Sequence, residues 1–143
     1  MSNTLSFTFT YYGHIKPYVR ANKRFSKRGT SDYRQYQDYQ ESRTLIKRAA
    51  QAYMDESKTP MIPEKTPFGV QASVGLQRVY ISDLDNTLKS ILDSLGGVCF
   101  KDDRWCKRVT IEKFLEEVDD KWDETCVITI FVMLPDEIAY SHG

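Results

Sequence analysis

Cysteine and histidine are scarce in this chain of 143 residues. Cys99, Cys106 and Cys126 are odd in number and have no C-x-x-C spacing. A disulfide framework and a structural zinc site are both disfavoured, and buried reduced thiols are expected instead. His14 and His142 are the only histidines, and neither has a histidine or cysteine partner at ligand spacing. That argues against a histidine-centred metal site or catalytic triad. No apolar run approaches the roughly 18 residues needed to cross a membrane. The start, MSNTLSFTFTYYG, lacks a basic residue followed by an apolar block, so no signal peptide is expected and a cytoplasmic location is the default.

Net charge is also missing, with 20 basic residues against 20 acidic ones. The balance hides an asymmetry. From Lys16 the chain reads KPYVRANKRFSKR, with Lys16, Arg20, Lys23, Arg24, Lys27 and Arg28 and no acid. From Phe114 it reads FLEEVDDKWDET, with Glu116, Glu117, Asp119, Asp120, Asp123 and Glu124 against one lysine. A local basic surface for a polyanion is compatible with a neutral total. Tyr18 and Phe25, interleaved with the cations, favour nucleic acid as that polyanion. The acidic run reads as a solvated loop.

The length fits one domain, residues 1–134, followed by a short tail at 135–143. Residues 5–12, LSFTFTYY, alternate and are rich in aromatic and β-branched types, which predicts a strand ended by Gly13. The basic segment, 14–30, is irregular. Residues 32–56 lack glycine and proline, and Tyr36, Tyr39, Arg43, Ile46, Ala50 and Tyr53 recur at helical steps. This predicts a long helix whose tyrosines pack into the core rather than stack on bases. A Pro-rich loop, 57–68, carries Pro60, Pro63 and Pro67 and is the best candidate for a mobile flap. Residues 69–81 alternate as a long half-buried strand, with Val70, Ala72, Val74 and Leu76 on one face and Gly75 as a candidate bulge. Leu84, Leu88, Ile91, Leu92 and Leu95 predict a helix over 84–95, stopped by Gly96-Gly97. A weaker strand at 109–114 and a strongly apolar one at 126–134 complete a mixed α+β domain with two main helices.

The chemistry concentrates in SDLDNTLKSILDSL. Asp83 and Asp85 stand where strand gives way to helix. In extended backbone, residues two apart project to one face, so these carboxylates converge. A helix cap by Asp85 would fix it from a second side. Lys89 follows one turn later on the same face, and Asp93 a turn after that. Crowded acids repel one another, and a hard divalent cation with oxygen ligands relieves this. Such a cation activates water and neutralises charge on a reacting phosphoryl group, which a nearby lysine also stabilises. Asp102-Asp103, beyond the Gly-Gly turn, supplies a third candidate ligand. The same residues also fit a capped helix with a solvent-facing ion pair.

An apolar strand ending in Asp-x-Asp-x-Thr is also the nucleophile motif of haloacid-dehalogenase-type phosphatases, with Asp83 as the attacking residue. Length counts against that reading. Only 58 residues follow Asp85, too few for the parallel strands and crossovers of a doubly wound sheet.

DLDNTLKSILDSL followed by FKDD resembles the RusA-type Holliday junction resolvases of bacteria and their phages. The pattern is Asp-x-Asp-Asn, a lysine three residues after the asparagine, an Asp a turn later, then Asp-Asp past a glycine turn. Asp83, Asp85, Asn86, Lys89, Asp93, Asp102 and Asp103 all fit it. The resemblance extends more weakly to the first strand, to RFSKRG and to the closing strand. It implies a homodimeric endonuclease that cuts branched DNA with Mg²⁺, Mn²⁺ substituting, in recombination and repair. Asp83, Asp85 and Asp103 would be the metal-binding acids and Lys89 the catalytic lysine. Two sites related by a twofold axis would suit a four-way junction. Because total charge is neutral, Lys16, Arg20, Lys23, Arg24, Lys27 and Arg28 would carry the phosphate contacts, with the acidic run near Glu116 facing away from DNA. A non-catalytic module that only binds branched DNA is the alternative.

Overall fold

A computed structural model describes residues 5–17, 31–80 and 83–133, the side chains of Ser31 and Asp32 excepted. The chain order is β1 (Ser6–Tyr12), α1 (Ser31–Ser57), β2 (Phe68–Leu76), α2 (Leu84–Leu95), β3 (Cys106–Leu115) and β4 (Thr125–Val132). Short 3₁₀ turns, Asp103–Trp105 and Lys121–Asp123, precede β3 and β4. The strands form one mixed sheet in the order β1-β4-β2-β3. β4 is antiparallel to β1 and β2, and β3 is parallel to β2.

This topology needs two crossovers in the same direction along the sheet, β1-α1-β2 and β2-α2-β3. Right-handed crossovers of that kind place both helices on one face. Phe7, Phe9 and Tyr11 of β1, Val70, Ala72 and Val74 of β2, and Cys126, Ile128 and Ile130 of β4 are buried. They pack with Ile46, Ala50 and Met54 of α1 and Ile91 and Leu95 of α2. The Tyr53 ring stacks over Phe7 and Phe9, at centroid distances of 6.0 and 5.5 Å. Alternate residues turn to the other face, which is more polar: Thr8 meets Thr129 at 2.9 Å, and Ser73 donates to Glu112 at 2.9 Å. On that face Gly69 lies directly under the Phe131 ring, where any Cβ would collide with it. No helix among the described residues is long and apolar enough to cross a membrane.

The α+β class and the two main helices are as expected. Several details differ. The strand expected over 69–81 ends at Leu76, because the next amide, Gln77 N–H, donates to the Glu124 carboxylate at 2.6 Å instead of to a neighbouring strand. Gly75 is no bulge: pairing runs unbroken through Gly75 and Phe114, and the irregularity falls between Phe68 and Gly69. The weak strand at 109–114 is a full edge strand, Cys106–Leu115, held by parallel pairing to β2. The buried face of α2 is Thr87, Ser90, Ile91, Ser94 and Leu95, while Leu84 is exposed. Its small hydroxyl residues pack closely and donate to backbone carbonyls, one within the helix and one far along the chain: Ser94 Oγ to Ser90 O at 2.7 Å and Ser90 Oγ to Lys16 O at 2.8 Å.

The Pro-rich loop is pinned rather than flap-like. Ile62 is buried, its N–H donates to Cys99 O at 2.9 Å, and Pro67 O accepts from Met133 N–H at 2.9 Å. The acidic run is not simply solvated either. Glu124 is 2% exposed, and the half-buried Glu116 accepts from Thr125 N–H at 2.8 Å and from its hydroxyl. All three cysteines are free thiols, and burial pushes Cys99 and Cys126 up to about 12. The basic residues Arg20, Lys23, Arg24, Lys27 and Arg28, and the tail at 135–143, lie outside the described residues.

Candidate active site on the second helix

α2 begins where expected, but its start is built differently. Asp83 is the N-cap, in extended conformation, and its side chain makes no capping hydrogen bond. Asp85 is not the cap. It sits in the first helical turn and accepts from Asn86 N–H at 3.0 Å. The two carboxylates therefore do not share one strand face, as extended backbone through both would require. They do share the positive end of the helix dipole, where anions are stabilised. Both are exposed.

Lys89 is exposed one turn later. Its ammonium lies 3.8 Å from Asp93 Oδ1, the next turn on, rather than beside Asp85. Asp93 is also engaged from α1, accepting from the Tyr39 hydroxyl at 3.0 Å. Burial first, and then the Asp93 charge, push Tyr39 up to about 12, so the phenol keeps its proton and remains a donor. Asp93 thus serves as an inter-helix tie that also holds Lys89. The opposite end of α2 is closed by Gly97, with φ 85°, and by Lys47, whose ammonium donates to Gly96 O at 2.6 Å.

Past this turn Gly96 bridges to Phe100, which stacks on Phe68 at 4.6 Å. Asp102 then caps the 3₁₀ turn, accepting from Arg104 N–H at 2.8 Å, and Asp103 is exposed beside it. Asp83 and Asp85 therefore lie toward one end of α2 and Asp103 toward the other, along twelve residues that rise about 18 Å. Among the described residues, no three acidic, histidine or cysteine side chains are grouped closely enough to hold a metal ion. The donors are of the hard-oxygen type that suits Mg²⁺, but a single chain does not gather them.

Lys16 is the one member of the basic run among the described residues. Its backbone is clamped from both helices, its N–H donating to Ser42 Oγ at 3.1 Å and its carbonyl accepting from Ser90. Sequence reasoning missed its neighbour His14, whose Nδ1–H donates to Glu124 Oε1 at 2.7 Å. The partners are 110 residues apart and carry no local signal. Only the pairing of β1 with β4, extended by Gly13 N–H to Glu124 O at 2.8 Å, brings them together.

Comparison with known proteins adds one finding. The family model described as Endodeoxyribonuclease RusA matches residues 14–130. No curated protein matches the chain. The match spans the described part of the basic segment, both helices, β2, β3 and nearly all of β4. The chain belongs to the RusA endodeoxyribonuclease family.

Proposed function

We propose that this protein is a divalent-metal-dependent endonuclease that resolves four-way DNA junctions as a homodimer, serving recombination and repair in the bacterial cytoplasm, whether host- or phage-encoded. The observation that carries this reading is the exposure of Asp83, Asp85 and Lys89 along the open start of α2 in a chain of this family. Asp83, Asp85 and Asp103 are the acids that would hold Mg²⁺, or Mn²⁺ in its place. When bound, the cation supplies water activation and charge neutralisation at the scissile phosphate. Lys89, paired with Asp93, contributes a cation that stabilises charge gathering on the phosphoryl oxygens. Lys16 and the basic residues Arg20, Lys23, Arg24, Lys27 and Arg28 neutralise flanking phosphates.

The separation of Asp103 from Asp83 and Asp85 supports a dimer in which one copy's Asp103 meets the other copy's Asp83 and Asp85. The same separation is what a non-catalytic junction-binding module would have, so cutting is the discriminating observation. A synthetic four-way junction is expected to be nicked on opposed strands in Mg²⁺ and left whole in EDTA. Cutting a linear duplex as fast as the junction, or binding the junction with no cutting in Mg²⁺ or Mn²⁺, would overturn the proposal.

A further inference from the structure

Two cavities, of about 220 and 310 Å³, share His14, Lys16 and Lys121 on their walls. The first is closed by Asp38 and Glu41 of α1 and by Trp122, the second by Arg78 and the Glu124 carboxylate. Trp122 is 50% exposed, yet its turn is firmly built. The Trp122 backbone N–H donates to Asp120 Oδ1 at 2.9 Å, and Gln77 Nε2 donates to Val118 O at 3.0 Å and Asp119 O at 3.1 Å. His14 meets the indole edge-on at 6.3 Å, and the Lys121 ammonium stands 5.3 Å from its ring centre. A shallower depression that includes Tyr12 and Leu45 also reaches the indole. A tryptophan carried on a turn built this firmly but left half in solvent has the character of a recognition surface more than of core packing.

The polar groups around it are mixed in charge: Asp120 and Asp123 are exposed acids of the Trp122 turn itself, and Arg78 stands on the side of the cleft away from α1. Lys16, Arg78 and Lys121 are cations, and Glu124 is taken up by His14 and the Gln77 amide. With Nδ1 bonded to Glu124, His14 has Nε2 left for a ligand. Asp38 and Glu41 repel an anion from the α1 wall. A ligand with a flat aromatic part and a phosphate is therefore oriented, its phosphate toward Arg78 and its ring toward Trp122. Because Ser90 and Ser42 hold the Lys16 backbone, the cleft is tied directly to α2.

We infer that this cleft receives one unpaired nucleotide of a branched DNA, its base stacked on Trp122 and its phosphate held among Lys16, Arg78 and Lys121. The inference rests on the reading of the chain as a DNA nuclease, and it turns the Trp122 end of the acidic run toward the DNA, against the expectation that the run faces away. A paired duplex keeps its bases within the helix and offers none to the indole, so the cleft favours single strands and junctions whose pairs open at the branch point.

The test uses full-length Trp105→Phe protein, in which Trp122 is the remaining tryptophan, in EDTA so that nothing is cut. Titration with a four-way junction, or with a single-stranded oligonucleotide, should quench Trp122 emission, while a linear duplex that binds comparably should not. Trp122→Ala should weaken junction binding about tenfold, the scale of losing one base–aromatic stack. Duplex affinity should be unchanged, and Trp122→Phe should recover much of the loss. Junction binding without quenching, or Trp122→Ala binding as tightly as wild type, overturns this site alone. Failure to bind any DNA overturns the nuclease reading and this inference together.

Discussion

Glu124→Ala is expected to be among the most destabilising changes to an acidic residue in this chain. The carboxylate is 2% exposed and accepts from His14 Nδ1 at 2.7 Å and from the Gln77 amide at 2.6 Å. Hydrogen bonds to a charged group are each worth about 1.5–3 kcal/mol, and truncation leaves two donors without their acceptor. Allowing for partial rescue by water at the half-buried donors, a loss of about 3 kcal/mol is expected. For a chain of this size that corresponds to a fall of about 10 °C in Tm. Urea denaturation and a thermal scan read both numbers. Glu124→Gln keeps an amide oxygen as acceptor and should lose about half as much. Glu117→Ala, seven residues away and exposed, should stay within about 0.5 kcal/mol of wild type. If Glu124→Ala and Glu117→Ala were equally mild, the acidic run would be a solvated loop after all, and the assignment of Glu124 as the anchor between β1, β2 and β4 would be wrong.

Phe68, 1% exposed and stacked on Phe100, should cost about 3–5 kcal/mol when changed to Ala, read by urea denaturation. A cost under about 1 kcal/mol would mean the stack is not closed. Stability should also fall in alkali. Cys99 and Cys126 rise from 9.0 to about 12 on folding, and Tyr39 from 10.0 to about 12. A raised folded value contributes stability that is complete below the unfolded value and lost as pH climbs through the folded one. The urea midpoint should therefore hold below about pH 9 and decline toward pH 12; a flat midpoint across that window refutes the burial of these groups. Mixing Asp85→Asn with Asp103→Asn copies should restore part of the junction cutting that each lacks alone, because a mixed dimer then keeps one intact shared site. No recovery would place all three acids within one copy.

Much of this fold was legible from short-range pattern. α2 begins and ends where leucine spacing and Gly96-Gly97 put it, because both signals are local. β1 and β4 likewise follow from alternating and continuous apolar runs. What failed depended on partners distant in the chain. β2 stops at Leu76 because Glu124 captures the next amide, and nothing near Leu76 announces it. The buried face of α2 runs through Thr87, Ser90 and Ser94 rather than Leu84, because close helix packing favours small side chains whose hydroxyls bond nearby carbonyls. The candidate site was legible in the same limited way. The motif located Asp83, Asp85, Lys89 and Asp103, and all four are exposed. It did not reveal that Asp93 is spent on Tyr39, that Asp102 is spent on capping a turn, or that the length of α2 stands between the acids.

The acids and the lysine of α2 are proposed to cut branched DNA. The most direct measurement of this is the single-turnover rate of opposed-strand nicking on a synthetic four-way junction in Mg²⁺, for wild type, Asp85→Asn and Lys89→Ala, with junction affinity measured in parallel. Wild type should cut, and both variants should bind the junction but cut at least about a hundredfold more slowly, the scale of losing a charge-stabilising group. Undiminished cutting by both variants would contradict the proposal.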